Sequence, residues 1–116
     1  MEIGVANGEN ARTMVKAAIR DFAPEEVEYY GFDFFEGNRI DQVKRKLEET
    51  RCKFKLFKGN SVEALPKAMR TLPKMDLIFI DGGHSYETVK SDWENSRCAR
   101  ANRSGNKNRL HYAPKR

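Results

Sequence analysis

Cysteine, tryptophan and histidine are scarce in this 116-residue chain, which holds 2 Cys, 1 Trp and 2 His. Cys52 and Cys98 form neither a CxxC pair nor the evenly populated set that a disulfide framework needs. No run approaches the roughly 18 to 20 apolar residues that span a bilayer. The opening MEIGVANGEN lacks the basic region and apolar stretch of a secretory signal. These absences set the expectation of a cytoplasmic protein with reduced thiols and no membrane contact. Acidic residues are missing from one end only. Arg97 to Arg116 carry 7 Lys+Arg and no Asp or Glu, whereas Met1 to Ser96 carry 15 Lys+Arg against 17 Asp+Glu. The formal net charge of +5 therefore divides into a body at −2 and a tail at +7. Such a tail either holds nucleic acid or another anionic surface without specificity, or is simply solvated. It lacks the interleaved aromatics of base recognition, so nucleic acid is not the expected partner.

What is present is one modest domain's worth of chain, 39% hydrophobic and 34% charged, as expected of a soluble globular protein. Met1 to Ala6 has the content of a short strand, and the turn ANG follows. Ala11, Met14, Val15, Ala18, Ile19 and Phe22 then form a helical stripe that Pro24 stops. Val27 to Phe32 reads as a second strand closed by Asp33, and Ile40, Val43 and Leu47 share one face of a charged helix. Cys52 to Phe57 reads as a third strand. Ser61 is a suitable N-cap for a helix carrying Val62, Leu65 and Met69, which Pro66 should kink or split. Leu77 to Ile80 is a continuous apolar run, expected of a parallel strand covered on both faces. Ser85 should cap a last helix that buries Tyr86, Val89 and Trp93.

The alternation β-α-β-α-β-α-β-α implies a Rossmann-like, doubly wound parallel α/β sheet of about four strands. Residues 1–96 form the expected domain. Residues 97–116, small, basic and without apolar periodicity, form an expected disordered tail.

In open α/β sheets ligands bind beyond the carboxyl ends of the strands. At the first such end, Gly4 permits a tight turn and Gly8 permits close approach to a helix N-terminus, with Asn7 between them. The spacing is neither GxGxxG nor a phosphate loop. Asp33 ends the second strand, where a carboxylate either receives ribose hydroxyls or merely caps a turn. Asn60 and Ser61, at the third, suit an adenine edge or a cap. Asp81 and His84 stand at the fourth.

Together the stretches EIGVANGEN (2–10), GFDFFEG (31–37), KGNSVEALP (58–66) and DLIFIDGGHSYETVKSDW (76–93) resemble the class I S-adenosylmethionine-dependent methyltransferases. The likeness is to the small-molecule O-methyltransferase branch that includes macrocin methyltransferase and cephalosporin hydroxylase relatives. It implies strand order 3-2-1-4 and methyl transfer to a hydroxyl of a small-molecule acceptor. It places Glu2, Gly4, Asn7 and Gly8 at the methionine part of the cofactor, Asp33 at its ribose, and Asn60 with Ser61 along its adenine. The family often has Asp where this chain has Asn60. Asp81 would lie near the sulfonium and the acceptor, with His84 as candidate base. In some relatives the residue matching Asp81 also ligates a divalent metal, which makes Mg²⁺ a candidate second cofactor. No companion ligand is evident, since Asp92 lies two helical turns on and is expected to be solvated.

The chain departs from the family after Ser96. The Pro-Gly-Gly-type turn and the fifth strand are not recognisable, nor is a helix before the first strand. The expectation is a truncated or frame-disrupted domain that binds cofactor without certain turnover, its LIFI strand left as an edge open to self-association. Two other readings stand beside it: a different nucleotide-binding α/β domain, such as a reductase fragment, and non-specific nucleic-acid binding through the tail.

Overall fold

Helical periodicity in the first half of the chain becomes two helices that cover one face of a sheet; two more cover the other. The computed structural model describes residues 1–97, residue 99 and the backbone of 111–112. In chain order the elements are β1 (Glu2–Ile3), α1 (Glu9–Ala18), a 3-10 turn (Pro24–Glu26), β2 (Glu28–Asp33), α2 (Arg39–Glu48), β3 (Lys53–Lys58), α3 (Ser61–Met69), β4 (Phe79–Ile80), α4 (Tyr86–Arg97) and β5 (His111–Tyr112). The sheet is parallel throughout and ordered β3-β2-β1-β4-β5. Its first four strands have the expected order 3-2-1-4. Central β1 sets the register, with Glu2 opposite Gly31 and Phe79, and Ile3 opposite Phe32 and Ile80.

Because side chains alternate across a strand, β2 feeds both cores. Tyr29 points to the α1/α2 side, where Val5, Ala11, Val15, Val43 and Leu47 are buried. Phe32 points to the α3/α4 side, with Ile3, Leu65, Ile78 and Ile80. There its ring stacks on Phe57 at 4.6 Å between centroids. Val43 and Leu47 lie on the expected face of α2, and each such side chain contributes roughly 1.5 to 3 kcal/mol when fully buried. Among the described residues no helix is long and apolar enough to cross a membrane.

Several local expectations are corrected. Helix α1 ends at Ala18, and the Asp21 and Phe22 amides both turn back to the Ala18 carbonyl. Ala23, held extended before Pro24, prevents a further helical turn, and Phe22 is left 60% exposed. The cap of α3 is Asn60 rather than Ser61, its side chain accepting the Val62 N–H at 3.1 Å. Pro66 lies inside α3 without splitting it, since a proline removes only one backbone bond. The LIFI run alternates instead of being covered on both faces: Ile78 and Ile80 are buried, while Leu77 is 38% exposed.

Helix α4 is capped by Ser85 as expected, the Thr88 amide donating to its hydroxyl. It buries a different face, however. Tyr86 and Trp93 are exposed, and Asp92 and Ser96 are the buried residues. Nor is β4 an open edge, for β5 pairs beside it with Phe79 opposite His111 and Ile80 opposite Tyr112. Of the tail expected to be disordered, 111–112 are thus in the sheet, and 98, 100–110 and 113–116 lie outside the described residues.

Candidate functional site

The exits of β1 and β4 touch through glycine. Gly4 has φ +90°, and a Cβ on it would overlap the Asp81 carbonyl. The Gly4 amide donates to the Phe32 carbonyl at 2.7 Å, and the Asp81 amide donates to the Ile3 carbonyl at 2.7 Å. Three strand ends are thereby locked side by side. Only a residue without a side chain permits that approach.

Asp33 organises the β1 turn. Its Oδ2 accepts the Val5 N–H at 2.7 Å and the Ala6 N–H at 2.9 Å, and its Oδ1 accepts the Phe35 N–H at 2.9 Å. A carboxylate oxygen has two lone pairs, so Oδ2 is filled and Oδ1 keeps one free for a ligand hydroxyl. The bonds also hold Ala6 at φ +52°, a left-handed conformation that non-glycine residues rarely adopt.

At the exit of β3, the Ser61 hydroxyl donates to Asp92 Oδ1 at 2.6 Å. Asp92 is 1% exposed, and its Oδ2 has no hydrogen-bond partner among the described residues. Burial raises its carboxyl above the ordinary aspartate range, and the Ser61 hydroxyl offsets this in part. At the exit of β4, Gly83 runs close to Thr88, and exposed His84 stands between that turn and the Ser85 cap.

These exits enclose a cleft of about 350 Å³. Gly4, Asp33, Asn60, Ser61 and Asp81 line it, so five expected site residues from four strand ends converge. Its wall also takes in Phe34, Arg39, Gly82 and Thr88, which the sequence reading did not single out. Asp92, beneath the wall, was missed as well and is not solvated. A signal existed in the recurrence of Thr88, Asp92 and Ser96 every fourth residue, the spacing of a helix face.

The remaining expected residues lie elsewhere. Glu2 is buried, with Oε1 accepting from the Tyr29 hydroxyl and Oε2 from Asn10 Nδ2 at 2.7 Å. Burial raises the Glu2 carboxyl above its ordinary value and pushes the Tyr29 phenol far above its own. Asn7 is turned toward the helices: its side chain accepts the Glu9 N–H, and its carbonyl accepts Lys46 Nζ at 2.8 Å. A Cβ on Gly8 would stand 3.0 Å from Val43, so this glycine serves the packing of α1 on α2. None of Glu2, Asn7, Gly8 and His84 is part of the cleft wall.

The donor set does not make a metal centre. Among the described residues no three His, Cys, Asp or Glu side chains are grouped to hold an ion, so the structure does not support Asp81 as a Mg²⁺ ligand. A second cavity of about 340 Å³, with Met1, Met14, Phe22 and Leu77 in its wall, lies at the opposite ends of the strands.

No curated protein and no solved structure matches the chain. A family model described as a methyltransferase domain matches residues 1–104, which include every residue of the cleft. The chain belongs to this methyltransferase-domain family.

Proposed function

We propose that the cleft binds S-adenosylmethionine and serves methyl transfer to a hydroxyl of a small molecule, in the manner of the macrocin methyltransferase and cephalosporin hydroxylase relatives. The observation that carries this reading is the convergence of Gly4, Asp33, Asn60, Ser61 and Asp81 in one cleft of a methyltransferase-family chain.

The described residues fit that ligand. The volume lies within the range of small-molecule sites. Asp33 Oδ1 has room for one ribose hydroxyl, whereas two would require the β1 turn to release Oδ2. Asn60 and Ser61 take the adenine end. Gly4, packed on the Asp81 backbone, brings the floor of the cleft within reach of the methionine portion. When bound, S-adenosylmethionine supplies an electrophilic methyl on a cationic sulfur.

The chain's own part is alignment and charge. Asp81 favours positive charge at the β4 end. The rigid exits of β1 and β4 hold donor and acceptor in line, which is the main requirement of a direct displacement. His84, next to Gly83 of the wall, is the base for the acceptor hydroxyl proton. Catalysis of this kind suits a cytoplasmic protein acting on a small molecule.

Titration calorimetry with S-adenosylmethionine tests the reading. A saturable heat is expected, and it should weaken about 10- to 100-fold in Asp33→Ala, the loss of a charge-assisted hydrogen bond. Absence of heat up to about millimolar ligand, on folded protein, sinks it.

A further inference from the structure

Asp92 is hydrogen-bonded to the cleft wall through Ser61, and the chemistry of that contact decides what Ser61 can offer a ligand. The O···O distance is 2.6 Å, within the range of an O–H···O⁻ bond, in which the carboxylate accepts and the hydroxyl donates. The single Ser61 proton is thereby committed, and the hydroxyl keeps only lone pairs. The neighbouring cap fixes the opposite polarity. Asn60 Oδ1 accepts the Val62 N–H, which leaves the amide nitrogen as the group for a ligand. This end of the wall therefore pairs an acceptor at Ser61 with a donor at Asn60. A 6-aminopurine carries an amino donor beside a ring-nitrogen acceptor. A 6-oxopurine carries a carbonyl acceptor beside a ring N–H donor, the reverse arrangement.

We infer that Asp92 is a positioning residue that sets purine specificity, fixing the Ser61 hydroxyl as an acceptor so that the cleft selects a 6-aminopurine over its 6-oxo counterpart. The inference rests on the proposed cofactor reading. Two features make the carboxylate's own position exact. Asp92 is 1% exposed, and its Oδ2 lies 3.2 Å from the place of a Cβ on Gly82, so the β4 exit closes over it because residue 82 is glycine. Asp92 thus joins the Ser61 side of the cleft to the Asp81–Gly83 turn.

The test compares S-adenosylhomocysteine with S-inosylhomocysteine by calorimetry on the full chain. The wild type should prefer the amino ligand by about 100-fold, since a site built to hydrogen-bond one group leaves its polar atoms unpaired against the other. Asp92→Asn lets the carboxamide donate to Ser61 and frees the hydroxyl proton for the cleft, so the preference should fall to about fivefold or less. Ser61→Ala should narrow it comparably, and this variant carries the test if Asp92→Asn does not fold. A purely structural role for Asp92 would weaken both ligands together and leave their ratio unchanged, which overturns the inference. A wild type that binds both ligands equally overturns it too. Binding of neither ligand to folded wild type instead removes the cofactor reading, and the inference falls with it.

Discussion

Ala6 occupies a left-handed backbone conformation that costs an alanine roughly 1 to 2 kcal/mol. Asp33 stabilises it by accepting the Val5 and Ala6 amides on one oxygen. Ala6→Gly should therefore raise stability by about 1 kcal/mol, offset in part by the greater freedom of glycine in the unfolded chain. Urea melts would measure this, and a loss of stability would mean that the alanine methyl is itself needed at the cleft wall. The same residues mark how far the sequence was legible. That an acid ending the second strand belongs to the site could be read from its position. That it first serves the β1 turn could not, because Val5 and Ala6 approach it only through the parallel pairing of β1 with β2. Gly8 is the converse case. Its left-handed φ suits a turn, yet its neighbour is Val43 of a helix more than thirty residues on, a contact that no local pattern encodes.

At the scale of elements, α3 depends on Asn60, whose side chain satisfies one of the free amides at its start. Asn60→Ala should cost about 1 kcal/mol in chemical denaturation, and Asn60→Asp should retain most of it. A neutral Asn60→Ala would show that Ser61 takes over the cap, breaking its bond to Asp92. Helices α1 and α2 were legible because their apolar residues repeat at helical spacing and face a single core. In α4 that logic misled. Its aromatics, Tyr86 and Trp93, lie outward, while Asp92 and Ser96 fill the buried stripe. Hydropathy reads such a stripe as a solvated face, since the hydrogen bond that makes Asp92 tolerable comes from Ser61 on another helix. The short β4 was legible as a strand, but its run of four apolar residues concealed an alternation that only the covering helices reveal.

For the molecule as a whole, the buried carboxyl of Asp92 makes stability depend on pH in a definite direction. Burial raises it above the ordinary value of 3.8, so as pH rises the unfolded chain gives up this proton first. The contribution is complete below that ordinary value and is lost as pH climbs through the raised folded one. Wild type should accordingly lose stability relative to Asp92→Asn as pH rises above the ordinary aspartate value, as a series of denaturant melts starting at acid pH would record. A difference independent of pH would mean that Asp92 is no more buried in solution than in the unfolded chain. The sheet makes a second prediction. Pairing of 111–112 covers β4, and the Ala99 carbonyl receives the Met75 amide, so truncation after Ala99 keeps that bond while uncovering the strand. The truncated chain should self-associate with rising concentration on sizing chromatography, where the full chain elutes unchanged. Finally, β2 and β3 share six paired positions, while β1 joins β2 and β4 through only two each. The broad β2–β3 pair closes a short stretch of chain, and the narrow seam at β1 and β4 closes about two thirds of it, so the cost of loop closure makes the seam the expected late event in folding. The cleft straddles that seam. It exists only once the last join is made, and a ligand seated there acts as a brake on unfolding that leaves the rate of folding untouched.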